Sequence, residues 1–180
     1  MTTHSEPAIS VRMLKIKCML VIALLSSVAQ AATDPLLDKM VGTWLGEGER
    51  IQSISGNHTR IETRTEATFR GNELLSHNEV TETDASGQAK TYSRDYWIRP
   101  DPAQGGLYDF GIPSSDDQVT SQGHFGDDGL EVEQDLGGSP AYLVRSHTQF
   151  DAQGSFYEET TWSGSRQLSQ TRIRYHHSIR

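Results

Sequence analysis

Six histidines, one adjacent pair of glutamates and one arginine set between two tyrosines are the residues of this chain best equipped for chemistry. The histidines are His58, His77, His124, His147, His176 and His177, with a seventh, His4, near the N-terminus. Two imidazoles share a strand face when they stand two residues apart. None of these pairs has that spacing, so a metal site would have to be assembled from separate strands, and the sequence assigns no metal ligand. His147 shares a face with Arg145 and Gln149 and is expected outside. His77 falls inside or outside according to strand phase. His77 or His124 would be the axial ligand if a haem iron were bound. Glu158-Glu159 puts one carboxylate on each face of a strand, a pattern that suits a solvated edge better than acid–base catalysis. No serine sits in a Gly-x-Ser-x-Gly elbow. No catalytic residue is assigned, and an enzyme is the less favoured reading.

The arginine is more informative. In an extended strand Tyr92, Arg94 and Tyr96 lie on one face. An apolar wall with one cation in it gives affinity for an amphipathic anion and fixes its orientation. Tyr142, on another strand, is grouped with them as a binding residue. The opposite phase turns Arg94 outward and Thr91 and Trp97 inward. A slip of one residue reverses every side chain, and the sequence leaves both phases open.

The elements that must position these residues have a period near two. Ile61, Thr63, Thr65, Ala67 and Phe69 alternate with Arg60, Glu62, Arg64, Glu66 and Arg70. That is a half-buried strand with a charged outer face. Tyr142 to Phe150 and Thr171 to Tyr175 repeat the pattern. Asp84-Ala-Ser-Gly87, Asp127-Asp-Gly129 and Asp151-Ala-Gln-Gly154 are hairpin turns, with Asp to bond the turn's amides and Gly to close it. The count is about ten strands: near 43–52, 58–70, 73–83, 89–99, 106–112, 117–126, 129–134, 141–151, 154–163 and 168–177. Pro35 to Met40 reads as a short helical turn. The fold class is all-β, a single antiparallel up-and-down barrel, because closure removes the edges a flat sheet would expose. Thr63, Thr65, Ser76, Asn78, Arg94, Ser146, Thr148 and Thr160 fall among aromatics on the predicted inner faces. A core that only packs would hold more Leu and Val. A mixed apolar and hydroxyl interior suits a cavity.

Residues 1–31 read as an export signal, with Met13 as an alternative start. Lys15 and Lys17 precede an apolar run, Met19 to Leu25, and Ala29-Gln30-Ala31 is a small-x-small cleavage site. The run is shorter than the ~20 residues of a membrane span. Cys18 is the only cysteine. It precedes the apolar run, unlike a lipid-attachment cysteine, and cleavage leaves residues 32–180 without thiols or disulfides. The net charge is −8 for the whole chain. Removing three basic residues and one acidic residue with the signal brings it to −10. Such a surface repels nucleic-acid phosphates and anionic lipid. The expected location is the periplasm or the exterior.

Gly42-Thr43-Trp44-Leu45-Gly46-Glu47-Gly48-Glu49, at the head of these strands, resembles the opening of calycin-type barrels. That superfamily holds the lipocalins, the fatty-acid-binding proteins and the nitrobindin-like haem barrels. The likeness is closest to uncharacterised exported bacterial members, which also end near an Arg/Tyr-containing strand, here Thr171-Arg172-Ile173-Arg174-Tyr175. The resemblance implies that Trp44 plugs the closed end and that Arg172 or Arg174 packs over it as a cation–π contact. Two features depart from the superfamily. Arg50-Ile51-Gln52 stands where nitrobindin-like chains have Tyr-Pro, which weakens a haem reading. Arg172 and Arg174 fall on the strand face opposite Tyr175, so the fatty-acid carboxylate clamp does not carry over. The expected function is an exported barrel that binds a small apolar or amphipathic molecule. A non-catalytic envelope interaction protein with a filled barrel and a haem-binding barrel enzyme are the alternatives.

Overall fold

The computed structural model describes residues 34–113 and 118–178. The export signal and Cys18 lie outside the described residues. Ten antiparallel strands follow one another: β1 (Gly42–Gln52), β2 (His58–Arg70), β3 (Glu73–Thr83), β4 (Ala89–Pro100), β5 (Leu107–Gly111), β6 (Val119–Phe125), β7 (Gly129–Gly137), β8 (Tyr142–Asp151), β9 (Gly154–Ser163) and β10 (Arg166–His177). Each strand pairs with its neighbour in sequence, and β1 pairs with β10 to close the barrel. The architecture is the up-and-down barrel that period-two patterning predicts, and the strand bounds agree within a few residues. The aspartate turns behave as their chemistry dictates. Asp84 Oδ1 accepts from the backbone N–H groups of Ser86 (2.8 Å) and Gln88 (3.0 Å), and Gly87 closes that turn with φ at 83°.

One end of the barrel is filled. A single 3-10 turn, Leu37–Met40, precedes β1. Leu37 is fully buried in a cluster with Ala67, Leu74, Ile98 and Tyr108, and Phe69, Phe110 and Phe125 pack against it. Asp34 caps the turn: its Oδ1 accepts from the Leu36 N–H at 2.8 Å. Its Oδ2 accepts from the Tyr108 hydroxyl at 3.0 Å, which ties the turn to β5. Trp44 is buried beside this plug, and its indole N–H donates to the Met40 carbonyl at 3.0 Å.

The partner expected for Trp44 is not there. Its ring meets His177, with centroids 3.9 Å apart, because β1 and β10 set these two residues opposite each other. Arg172 and Arg174 lie on the outer wall, paired with Glu158 at 2.9 Å and Asp151 at 2.7 Å. The alternation is the reason: Thr171, Ile173 and Tyr175 take the inner face, so the arginines cannot.

The middle of the inner face of β1 is bare at Gly46 and Gly48, and this shapes the barrel. A Cβ on Gly46 would lie 2.6 Å from Thr63 Cγ2 and 2.7 Å from Tyr175 Cε1. A Cβ on Gly48 would collide with the Arg172 carbonyl. The glycine-rich run therefore lets β10 approach closely and lets the Tyr175 ring cross β1 toward Thr63. Trp97 is also fully buried, but on the outer side of β4, where its ring fills the space a Cβ of Gly111 would occupy.

Trp44→Ala should lose about 3–5 kcal/mol of stability, the cost of deleting a large buried aromatic. Arg172→Met and Arg174→Met should each stay within about 0.5 kcal/mol of wild type, since exposed ion pairs contribute little. Urea unfolding measures both. An arginine variant as destabilised as Trp44→Ala would contradict the outer-wall placement.

Candidate functional site

Above the plug the barrel is hollow. The cavity has a volume of about 690 Å³, within the range of roughly 300–1,000 Å³ typical of small-molecule sites. Its walls take the even positions of β1, β3, β4, β7 and β8 and the odd positions of β2, β9 and β10. Of the hydroxyl and amide residues expected inside, Thr63, Thr65, Ser76, Asn78, Ser146 and Thr148 line it. Thr160 does not. It faces outward and accepts from the Trp162 indole N–H at 3.1 Å. Thr65 donates to Asn78 Oδ1 at 2.6 Å, and Asn78 donates to Ser76 at 3.0 Å, so the wall's polar groups satisfy one another.

Tyr92, Arg94 and Tyr96 all point into this space. The phase with Trp97 and Thr91 inward is excluded. The Arg94 guanidinium sits 4.8 Å from the centre of the Tyr92 ring. The Tyr96 hydroxyl beside it, helped by the charge of Glu82, raises its pKa above the ordinary arginine value. Tyr142 corrects an expectation. It starts β8 at the rim, is exposed and does not belong to the cavity wall.

A second cation, Arg50, also faces inward, because the inner face of β1 runs Trp44, Gly46, Gly48, Arg50. It binds Glu82 at 3.1 Å and donates to Thr171 Oγ1 at 3.3 Å. The Tyr92 hydroxyl donates to the same Glu82 oxygen at 2.6 Å. Burial works against the Glu82 carboxylate, but Tyr92 and Arg50 together outweigh it and hold its pKa below the ordinary value. Glu82 is thus occupied by Arg50 and Tyr92. Among the described residues no carboxylate lies within ion-pair distance of Arg94. Sequence reasoning missed Arg50 and Glu82. Counting in steps of two from Trp44 reaches Arg50, and the same step from Asn78 reaches Glu82.

The β9–β10 side carries a different set. Glu159 lines the cavity and accepts from the Tyr157 hydroxyl at 2.6 Å. Glu158 faces out, to Arg172 and Gln170. The Glu158-Glu159 pair is therefore not a solvated edge on both faces. Burial, reinforced by Glu159, pushes the Tyr157 hydroxyl well above the ordinary tyrosine range. Burial does the same for Tyr175, to about 12, with Thr63 pulling the other way.

Neither histidine considered for haem reaches the cavity. His77 is on the outer wall against Asp95 at 2.6 Å, and His124 is on the outer wall against Glu131 at 3.4 Å. No histidine is among the lining residues, so the wall does not fit an axial imidazole. His147 faces outward, as expected. There, Asp128 in the β6–β7 turn, Glu131 on β7 and His147 on β8 bring ligand atoms within 4.8 Å of one another. This group lies on the outside of the barrel, away from the cavity.

The end opposite the plug is the entrance. Ile54, Ile112, Val119, Leu136 and Tyr142 are exposed, and all stand in or beside the loops at that end. Four of them edge the adjacent strands β5 to β8, while Arg50, Glu82 and Tyr92 edge β1, β3 and β4. The mouth is apolar on one side and polar on the other. The closed antiparallel barrel is compatible with a calycin-like fold. The chain matches no family model and no curated protein. Among the described residues no helix is long and apolar enough to cross a membrane.

Tyr108 is raised like Tyr175, to about 12, by burial first and then by Asp34. A raised hydroxyl stabilises the fold fully below the unfolded tyrosine value of about 10 and loses that contribution as pH climbs through the folded value. In an alkaline absorbance titration, Tyr108, Tyr157 and Tyr175 should ionise late, together with loss of the far-ultraviolet β signal. If all six tyrosines titrate in one step near 10 with that signal intact, the buried hydroxyl network is wrong.

Proposed function

We propose that this protein is an exported carrier that binds a small amphipathic molecule inside its barrel, with the ligand's anionic group on Arg94. One observation carries the reading: an open cavity of about 690 Å³ into which an arginine points, with no carboxylate within ion-pair distance of it among the described residues. A protein whose barrel only packs would fill that space with aliphatic side chains and keep guanidinium groups on the outside. The apolar rim supports the same reading, since a ligand with a hydrocarbon part must cross the mouth to enter. The polar side of the mouth would orient it as it does so. The interaction-protein alternative requires a filled barrel, which this one is not. The haem-enzyme alternative requires an inward histidine, and none lines the cavity among the described residues.

Export rests on the N-terminal pattern, and the acidic surface suits a soluble protein outside the cytoplasm. Intact mass of the protein recovered from its host envelope should correspond to a chain beginning at or near Ala32, without acyl groups. A mass that retains Cys18 would contradict it.

A fluorescent medium-chain fatty acid should bind wild type and lose affinity about tenfold or more with Arg94→Met. A hydrogen bond to a charged group contributes about 1.5–3 kcal/mol. Equal binding by both proteins would remove Arg94 from the site. Binding by neither would remove the carrier reading.

A further inference from the structure

Glu159 is the one charged group of the cavity that this reading leaves without a task. It stands on β9, and Arg94 stands on β4. The two strands are five apart in either direction around the ten-strand barrel, so the two groups occupy opposite walls. Among the described residues neither group forms an ion pair, although Glu82 lies near enough to Arg94 to help hold its charge. Glu82 is taken up by Arg50 and Tyr92. Glu159 has the Tyr157 hydroxyl, and no cation pairs with it among the described residues. A carboxylate has about four acceptor positions, and one donor fills one of them.

The surroundings of Glu159 offer hydroxyls but no paired cation. Its cross-strand neighbours are Ser146 and Thr171, and Thr171, which accepts from Arg50, keeps its own O–H to donate. Tyr175 lies near enough to feel both Glu159 and Tyr96, so hydroxyls run across the space between the two charges. The cavity wall also carries aliphatic side chains, Ile61, Val132, Val144 and Ile173 among them. A carboxylate held in such a place is costly unless something donates to it.

We propose that Glu159 is the second polar anchor of the cavity, and that the ligand carries an anionic end for Arg94, an ammonium or other donor end for Glu159, and an apolar stretch between them. This inference rests on the carrier reading and narrows it. A ligand with only a carboxylate leaves Glu159 unmatched, and a ligand with only an ammonium leaves Arg94 unmatched. A molecule with both, separated by a hydrocarbon segment, satisfies each wall and covers the aliphatic side chains between. The discrimination then comes from both ends, since a missing partner leaves a polar group of the site unpaired.

Calorimetric titration of the full mature protein with three probes of equal chain length tests this: octanoate, octylamine and ω-aminooctanoate. Wild type should bind ω-aminooctanoate about tenfold or more tightly than either of the others. Glu159→Gln should bring ω-aminooctanoate down to the affinity of octanoate, and Tyr157→Phe should lower it in the same direction. Octanoate binding as tightly as ω-aminooctanoate to wild type would overturn the role of Glu159 and leave the carrier reading standing. Octylamine binding most tightly would also overturn it, because Arg94 would then take no part. Absence of binding by all three would overturn the carrier reading and this inference together. The wild-type ranking decides the matter even if a variant fails to fold.

Discussion

The pairing of β1 with β10, in the register that sets Trp44 opposite His177 and Arg50 opposite Thr171, closes the sheet on itself. That register decides which half of the chain's residues face inward, because side chains alternate along every strand and neighbouring strands share the phase. It depends on a glycine-rich inner face. Where Gly46 and Gly48 stand, β10 comes close and Tyr175 reaches across toward Thr63. A side chain at Gly48 would push β10 away. The plug, the Trp44–His177 contact and the inward arginines all follow from the same closure.

Closure also separates two kinds of charge. Outside, acidic and basic residues face each other across strands, as in Arg172 with Glu158 and Arg145 with Glu133. Solvent screens these pairs, and they do little for stability. Inside, the charges are few and their surroundings are less polar, so each has larger consequences. Burial keeps the Tyr157 and Tyr175 hydroxyls protonated well past the ordinary tyrosine range. Tyr157 thereby stays a donor to Glu159. The interior is thus neither a hydrocarbon core nor a water channel. It is a mixed wall of aliphatic, aromatic and hydroxyl side chains that carries a few charged groups.

The strands were legible because turn chemistry and period-two alternation are local. Ile61 to Phe69, Val144 to Phe150 and Thr171 to Tyr175 carry their inner faces in plain sight. The phase of β4 was not legible, since Tyr92, Arg94 and Tyr96 on one face compete with Thr91 and Trp97 on the other. Both faces turned out to be used: the first lines the cavity, and Trp97 is buried outside over Gly111. No local signal pairs a tryptophan with a glycine on the next strand. The partner of Trp44 was missed for a related reason. The arginines of the last strand fall on its outer face, whereas the inner-face phase of β10, continued past Tyr175, reaches His177. Glu82 and Glu159 were hidden because the charge pattern gives their type and not their neighbours.

The central claim is that the lumen is an open site whose occupant meets Arg94 across an apolar wall. A crystal structure of the protein purified from its own host tests it most directly. The expected result is electron density within the barrel that reaches the Arg94 guanidinium and runs along Val132 and Val144. A lumen collapsed around repacked side chains, with Arg94 turned to the outer wall, would contradict it.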